Sequence, residues 1–325
     1  MQVIPAIFGH RGACGYRPEN TIESFELAFA QGVAAVECDL IPTKDGKLVV
    51  LHDADLSSTT TIAELPQFAD RRRILHLPWR DIDGWFVQDF TLDEIRLLRA
   101  KERLPEERPG SAKFDGQFKI PTLDEFLNAD FAKPGTTLIL EVKFAWLFKT
   151  AGLDSGALLV EALLNSDWRE RGLKLVIETF DYPVLQDIKA GLAAADSLEG
   201  LTFVLLVEQW RMDDFLKTET AEAFLSRCAA DFDGISFDHN MLSAPVPEGS
   251  SAQFGEPNSL VADSRAFGLM VFSWTARVES ARYSIEEYFQ HFVDLNVDGV
   301  FADQPDLFVN FLANSGLTST VASVA

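Results

Sequence analysis

Short apolar runs alternate with amphipathic stretches along most of the chain. The runs are rich in β-branched residues, as expected for parallel strands that are buried on both faces. They predict strands at 3–9, 34–39, 136–142, 173–179, 202–207, 233–237, 269–274 and 298–302. The stretches between them predict helices at 21–31, 122–129, 155–166, 182–191, 212–227, 260–267, 284–292 and 305–313. This repeated alternation is the α/β pattern of a TIM (β/α)8 barrel.

One interval interrupts the alternation. Residues 53–120 are too long for a connection between a strand and a helix, and they include a helical pattern near 91–100. We interpret them as an inserted subdomain over the C-terminal mouth of the barrel, where active sites of this fold lie. Residues 1–313 would then form a single domain that carries this insertion. The small and polar residues of 314–325 predict a tail that frays.

Two carboxylates lie within the second apolar run. Glu37 and Asp39 are two residues apart, so a strand places both on one face. Buried there, they would repel each other and lose hydration, and a bound cation would compensate for both effects. A solvated edge strand is the alternative, but the apolar neighbours favour burial. Glu141 and Lys143 repeat this spacing, either as a metal ligand beside an anion-binding cation or as an ordinary ion pair.

Histidines are placed where strands are expected to end. His10 and Arg11 follow the first apolar run, and His52 follows a predicted hairpin that turns at residues 45–46. Histidine exchanges a proton near neutral pH, and paired carboxylates hold hard divalent cations. Together these groups fit the metal-assisted cleavage of a phosphate ester.

The motifs resemble those of the glycerophosphodiester phosphodiesterase family, of the type with a long insertion. The resemblance extends from about residue 6 to residue 309. It is carried by His10-Arg11-Gly12, Glu19-Asn20-Thr21, Glu37-x-Asp39, His52-Asp53, Glu141-x-Lys143, Phe272-Ser273-Trp274-Thr275 and the run from Val297 to Pro305. It implies a TIM barrel that hydrolyses glycerophosphodiesters to glycerol 3-phosphate and an alcohol.

The resemblance also implies roles for individual residues. The acid–base pair would be His10 and His52. The metal would be bound by three carboxylates, those of Glu37, Asp39 and Glu141. The substrate phosphate would contact Arg11 and Lys143. An all-oxygen ligand set favours Mg²⁺, with Ca²⁺ as the alternative. Either histidine could be the base, and either water or a substrate hydroxyl could be the nucleophile.

Aromatic residues are candidates for contact with the organic part of the substrate. Trp274 ends the seventh predicted strand and Phe180 follows the fourth, so each could line a substrate pocket or pack at the barrel top. Trp85 and Phe86, within the insertion, could select the alcohol or belong to the core of the insertion. Residues 101–119 resemble a mobile loop.

Composition and charge limit the partners. The chain has 325 residues, of which 47% are hydrophobic, and a formal charge of −22. The acidic balance disfavours nucleic acid and anionic membranes. The resemblance implies a small glycerophosphodiester as the partner. No run is long enough for an integral membrane segment, and the three cysteines imply no disulfide framework. We expect a cytoplasmic protein, or a periplasmic or secreted one if a signal peptide has been removed.

Two other functions fit parts of this pattern. A phospholipase D-like relative of sphingomyelinase D would share the barrel and both histidines but would act on lipid. Its rim should be apolar or basic, whereas this chain is acidic and carries fuller motifs. A non-catalytic barrel used for binding should have lost a histidine or a metal ligand, and every expected residue is present.

Overall fold

A computed structural model describes residues 2–77, 80–246, 250, 252–282 and 284–319. The strands in these ranges are β1 (Ala6–His10), β2 (Ala35–Pro42), β3 (Leu48–Val50), β4 (Arg73–His76), β5 (Asp81–Gly84), β6 (Thr137–Val142), β7 (Lys174–Thr179), β8 (Leu201–Val207), β9 (Gly234–Asp238), β10 (Met270–Ala276) and β11 (Gly299–Ala302). The helices are α1 (Ile22–Ala30), α2 (Leu92–Ile95), α3 (Pro109–Ala112), α4 (Leu123–Leu127), α5 (Ala145–Thr150), α6 (Ser155–Leu164), α7 (Tyr182–Ala194), α8 (Gln209–Phe215), α9 (Ala221–Asp231), α10 (Leu260–Ala266), α11 (Ile285–Asp294) and α12 (Pro305–Asn314).

Eight parallel strands close into a barrel. Their order is β1-β2-β6-β7-β8-β9-β10-β11, and β1 pairs with both β2 and β11. Strand β3 pairs antiparallel with β2 at the edge of this sheet. Every predicted strand overlaps an observed barrel strand, so the predicted TIM barrel is confirmed.

An apolar plug fills the inside of the barrel. It consists of buried side chains from seven different strands, namely Ala6, Phe8, Ala35, Ile139, Val176, Val204, Phe272 and Phe301. Phe8 packs edge-on against both Phe272 and Phe301, with ring centroids 5.1 and 5.2 Å apart. Since side chains alternate along a strand, the residues two positions beyond plug residues also point inward. On four adjacent strands those residues are His10, Glu37, Glu141 and Glu178.

The structure corrects several of the helical predictions. The single helix expected at 212–227 is two helices, α8 and α9, because Thr220 caps the second one by accepting a hydrogen bond from the backbone of Ala223 at 3.1 Å. The helical pattern near 91–100 gives only the short helix α2. Helix α5, directly after β6, was not predicted.

The insertion packs around an apolar core that it shares with β2, β3 and α5. Trp85 and Phe86 are 8% and 0% exposed, and the Trp85 indole donates a hydrogen bond to the carbonyl of Phe68 at 2.6 Å. Phe68 and Phe90 pack edge to face in the same core, 5.2 Å apart. Of the two interpretations of Trp85 and Phe86, the structural one is therefore supported.

The C-terminal tail begins where α12 ends. Residues 320–325 of the expected frayed tail lie outside the described residues. Among the described residues, no helix combines the length and the apolar character that a membrane span needs.

A buried histidine outside the barrel mouth predicts acid sensitivity. His291, in α11, is 7% exposed and stacks on Phe254 with ring centroids 3.7 Å apart. Burial, aided by nearby His239, lowers the pKa of His291 to about 3. Between pH about 6.5 and about 3 the unfolded chain therefore binds a proton that the folded chain does not, and stability falls as the pH falls.

Replacement of His291 should weaken the dependence of folding stability on pH. We expect His291→Phe to reduce the loss of unfolding free energy by about 1.4 kcal/mol per pH unit within this window. Urea unfolding at pH values between about 6 and 4 measures it. His76→Gln, at an exposed site, is the control. Equal slopes for His291→Phe and the unmodified protein would contradict the prediction.

Candidate active site

Adjacent strands bring charged side chains together at the carboxyl end of the barrel. The strand register pairs His10 with Glu37, Asp39 with Glu141, and Glu141 with Glu178. All four of these carboxylates are at most 6% exposed. The apolar plug lies directly below them, so the barrel fold places this set of carboxylates at the floor of an open cavity.

Three of the carboxylates form a group that suits a divalent cation. Oxygen atoms of Glu37, Asp39 and Glu141 all lie within 4.8 Å of one another. The Oε1 atom of Glu37 is buried and has no hydrogen-bond partner in the structure. Burial and the neighbouring Asp39 carboxylate raise the pKa of Glu37 well above its usual value. A hard cation would neutralise this repulsion and would accept all-oxygen ligands, so the residues fit such a metal.

A second cluster is less suited to a metal. His10, Cys14 and Asp303 also lie within 4.8 Å of one another. Asp303 already forms ion pairs with Arg108 at 2.5 Å and Arg277 at 2.7 Å. The two guanidinium groups supply the positive charge that a cation would supply, and they would repel one.

Each of the two candidate acid–base histidines is held by an aspartate. Nδ1 of His10 lies 2.6 Å from Oδ1 of Asp303, and Nδ1 of His52 lies 2.6 Å from Oδ1 of Asp53. A carboxylate at Nδ1 holds a proton on that nitrogen and leaves Nε2 free for a substrate. Burial and the charge of Arg11 lower the pKa of His10 to about 4, although Asp303 opposes this shift. Burial also lowers the pKa of His52.

Two cations lie among the carboxylates. The backbone amide of Arg11 donates to Oε2 of Glu37 at 2.9 Å, and its Nε lies 3.1 Å from Oδ2 of Asp39. Arg11 adopts a left-handed φ of 54°, which turns the chain sharply after β1. Nζ of Lys143 lies 2.8 Å from Glu141 and 3.4 Å from Asp39. Both cations line the cavity, where an anionic group could bind.

The cavity above this floor has a volume of about 590 Å³. Trp274 and Phe180 both line it and contact each other edge to face, with centroids 5.5 Å apart. Its wall also includes aromatic and charged side chains from the segments that follow β6, β7 and β8, among them Phe144, Trp146, Asp181, Glu208, Trp210 and Arg211. Every described residue that lines it lies outside 53–120, so the insertion shapes this cavity indirectly.

The structure gathers the predicted residues into one place. Around this cavity lie the nine that the sequence singled out, His10, Arg11, Glu37, Asp39, His52, Glu141, Lys143, Phe180 and Trp274. Their individual roles stay predictions.

Sequence reasoning missed several other groups. Glu178 carried a signal, because it is a charged residue within a predicted buried strand. Asp53 and Asp303 belong to recognised motifs, but nothing in the sequence shows which histidine each one contacts. Arg103 and Arg108 gave no signal, since they lie in the segment that was expected to be a mobile loop.

The fold and the site together define a class of protein. This is a TIM barrel whose carboxyl end holds two histidine–aspartate pairs and an acidic cluster suited to a divalent cation. The chain belongs to the Glycerophosphoryl diester phosphodiesterase family, whose sequence model matches residues 10–307. This confirms the family that the motifs indicated.

Individual relatives agree with this assignment. A glycerophosphodiester phosphodiesterase of Caldanaerobacter subterraneus subsp. tengcongensis is 26% identical over 95% of this chain and 98% of its own length. Three other curated relatives match over shorter segments, and the chain spans only 34%, 52% and 53% of their lengths.

Solved structures share the fold. A putative glycerophosphoryl diester phosphodiesterase from Silicibacter pomeroyi has a TM-score of 0.72 and 24% identity, covering 98% of this chain and 96% of that one. A phosphodiesterase of Oleispira antarctica, in complex with the product sn-glycerol-3-phosphate, has a TM-score of 0.63 and 22% identity, covering 95% and 97%. At these identities the likeness supports the barrel fold.

Proposed function

We propose that this protein is a metal-dependent phosphodiesterase that hydrolyses glycerophosphodiesters to glycerol 3-phosphate and an alcohol. The observation that carries the proposal is the arrangement at the barrel mouth. Two aspartate-held histidines, His10 and His52, lie beside an acidic cluster and two cations in a chain that matches the family over 10–307.

The histidines would move the protons of the reaction. Nε2 of one histidine accepts the proton of the nucleophile, and Nε2 of the other donates a proton to the leaving oxygen. Asp303 and Asp53 keep both rings oriented through their Nδ1 atoms. The first transfer makes the oxygen of the nucleophile able to attack phosphorus. The second lets the leaving oxygen depart as a neutral alcohol.

The charged groups around the histidines would bind the phosphate. Arg11 and Lys143 contact its oxygen atoms, Arg11 as a planar fork and Lys143 as a point charge. Glu37, Asp39 and Glu141 would hold a divalent cation, which would supply further neutralisation of the phosphate oxygens. We propose Mg²⁺ as this cation, with Ca²⁺ as the alternative, because all the ligands are oxygen atoms.

The substrate is proposed to be a small soluble molecule. The net charge of −22 opposes binding to anionic lipid surfaces, so the positive groups of the site must attract the phosphodiester locally. A cytoplasmic location is also proposed, with a periplasmic or secreted one as the alternative.

A substrate panel tests the function. Purified protein with Mg²⁺ or Ca²⁺ should release glycerol 3-phosphate from soluble glycerophosphodiesters with choline, ethanolamine or inositol head groups. Sphingomyelin or lysophospholipid vesicles should be cleaved far more slowly. Rapid cleavage of vesicles with no soluble turnover would favour the lipid phosphodiesterase alternative, and binding without any turnover would favour the non-catalytic barrel.

The same panel tests the aromatic wall. Trp274 lies against Phe180, and its indole nitrogen is buried without a hydrogen-bond partner in the structure. We expect Trp274→Ala to change the ratio of kcat/KM between two head groups by about 10-fold or more, as for other pocket contacts. Trp274→Phe keeps a ring and removes the N–H donor, so it separates packing from hydrogen bonding. Equal losses for every substrate would indicate a structural role instead.

A further inference from the structure

Two arginines of the insertion reach the carboxylates that hold the histidines. Nη1 of Arg103 lies 2.7 Å from Oδ2 of Asp53. Nη2 of Arg108 lies 2.5 Å from Oδ2 of Asp303. Both arginines come from 101–119, the segment expected to be a mobile loop, and the structure anchors that segment at the site instead.

The two contacts have the same geometry. In each aspartate, Oδ1 lies 2.6 Å from the Nδ1 atom of a histidine, while Oδ2 accepts a hydrogen bond from an arginine of the insertion. An aspartate held at both oxygen atoms cannot rotate without losing one of the bonds. The position of the arginine therefore fixes the plane of the carboxylate, and the carboxylate fixes the histidine ring.

Each arginine is itself held by a second carboxylate. Arg103 binds Glu19 with two nitrogen atoms, at 2.8 and 2.7 Å, and Glu19 lies 3.2 Å from Nη1 of Arg11. Arg108, with a side chain that is 5% exposed, binds Glu279 at 2.7 Å and the carbonyl of Cys14 at 3.2 Å. Paired, planar contacts of this kind give a guanidinium group a defined orientation.

We propose that Arg103 and Arg108 are positioning residues for the two acid–base histidines. Arg103 acts on His52 through Asp53, and Arg108 acts on His10 through Asp303. The insertion is thus part of the catalytic apparatus although none of its described residues lines the cavity. The proposal rests on the proposed function for its effect on turnover, whereas its effect on the histidines can be measured without substrate.

The test is NMR of protein with ¹⁵N-labelled histidine, in which the signals of both His10 and His52 are measured in each arginine variant. Arg103→Ala should shift or remove the Nδ1–H signal of His52 and leave that of His10 unchanged. Arg108→Ala should do the reverse, although Arg277, 2.7 Å from Asp303, limits the effect.

We expect kcat to fall by about 10- to 100-fold in each variant with little change in KM, as for partners that orient other functional groups. Added guanidinium ion should restore part of the kcat.

Controls separate positioning from general damage. Arg96→Ala removes an arginine of the same insertion that is 54% exposed and pairs with Glu125 at 3.6 Å instead of with Asp53 or Asp303. It should leave both signals and kcat unchanged. Arg103→Lys and Arg108→Lys keep the charge if the alanine variants fail to fold, and they should show the same crossed pattern. Histidine signals that move together, or not at all, in folded variants would overturn the proposal. Absence of turnover in the unmodified protein would instead overturn the proposed function.

Discussion

Replacing His10 or His52 with alanine should lower kcat by about 10²- to 10⁴-fold, the usual contribution of a positioned proton donor or acceptor. The fold should survive the change. After loss of the His10 ring, Asp303 keeps its ion pairs with Arg108 and Arg277, so no buried charge is left alone. Steady-state kinetics on a soluble glycerophosphodiester measure the loss, and circular dichroism checks the fold.

His76→Ala is the matched control, because it removes an exposed histidine in the β4–β5 hairpin and should leave kcat unchanged. A rate near that of the unmodified protein for either His10→Ala or His52→Ala, at every pH from about 6 to 9, would show that the residue does not carry a proton.

Removal of divalent cations should abolish turnover, and Mg²⁺ or Ca²⁺ should restore it. The carboxylates of Glu37, Asp39 and Glu141 repel one another, and Arg11 and Lys143 offset this repulsion only in part, so binding of a metal ion should also stabilise the fold. At a concentration of 100 times Kd the gain is about 2.7 kcal/mol, which thermal unfolding detects without any substrate. Glu37→Gln and Asp39→Asn should weaken both the activation and the rise in Tm.

Glu178→Gln gives a control within the same floor of the cavity. Glu178 is as buried as the proposed ligands, but its oxygen atoms are not part of the group within 4.8 Å, so the metal-dependent rise in Tm should persist. Full activity in excess chelator, from protein that mass spectrometry shows to be metal-free, would rule out the proposed metal.

The barrel could be predicted because its signal is local and repeated. Buried parallel strands give short apolar runs, and a carboxylate pair such as Glu37 and Asp39 stands out within one of them. The spacing of two residues was enough to place both side chains on one inward face. Helix boundaries were harder, since a single capping residue, Thr220, separates α8 from α9.

The contacts that hold the site residues in place could not be predicted, because they join distant parts of the chain. Arg108 and Asp303 are 195 positions apart, and Arg103 and Asp53 are 50 apart. The hydrophobic periodicity of the sequence gives no sign of such a contact. The Lys-, Glu- and Pro-rich composition of 101–119 is also typical of a solvent-exposed loop. The sequence left Trp85 and Phe86 open between a pocket wall and a core, and the structure buries both, with Trp85 in the apolar core of the insertion.

The apolar plug also limits how molecules can pass through the barrel. Phe8, Phe272 and Phe301 close the interior directly below the charged floor, so the described part of the barrel has no passage to its opposite end. Molecules that bind in the cavity must therefore enter and leave through the same opening. A bound product there would exclude the next substrate molecule until it dissociates.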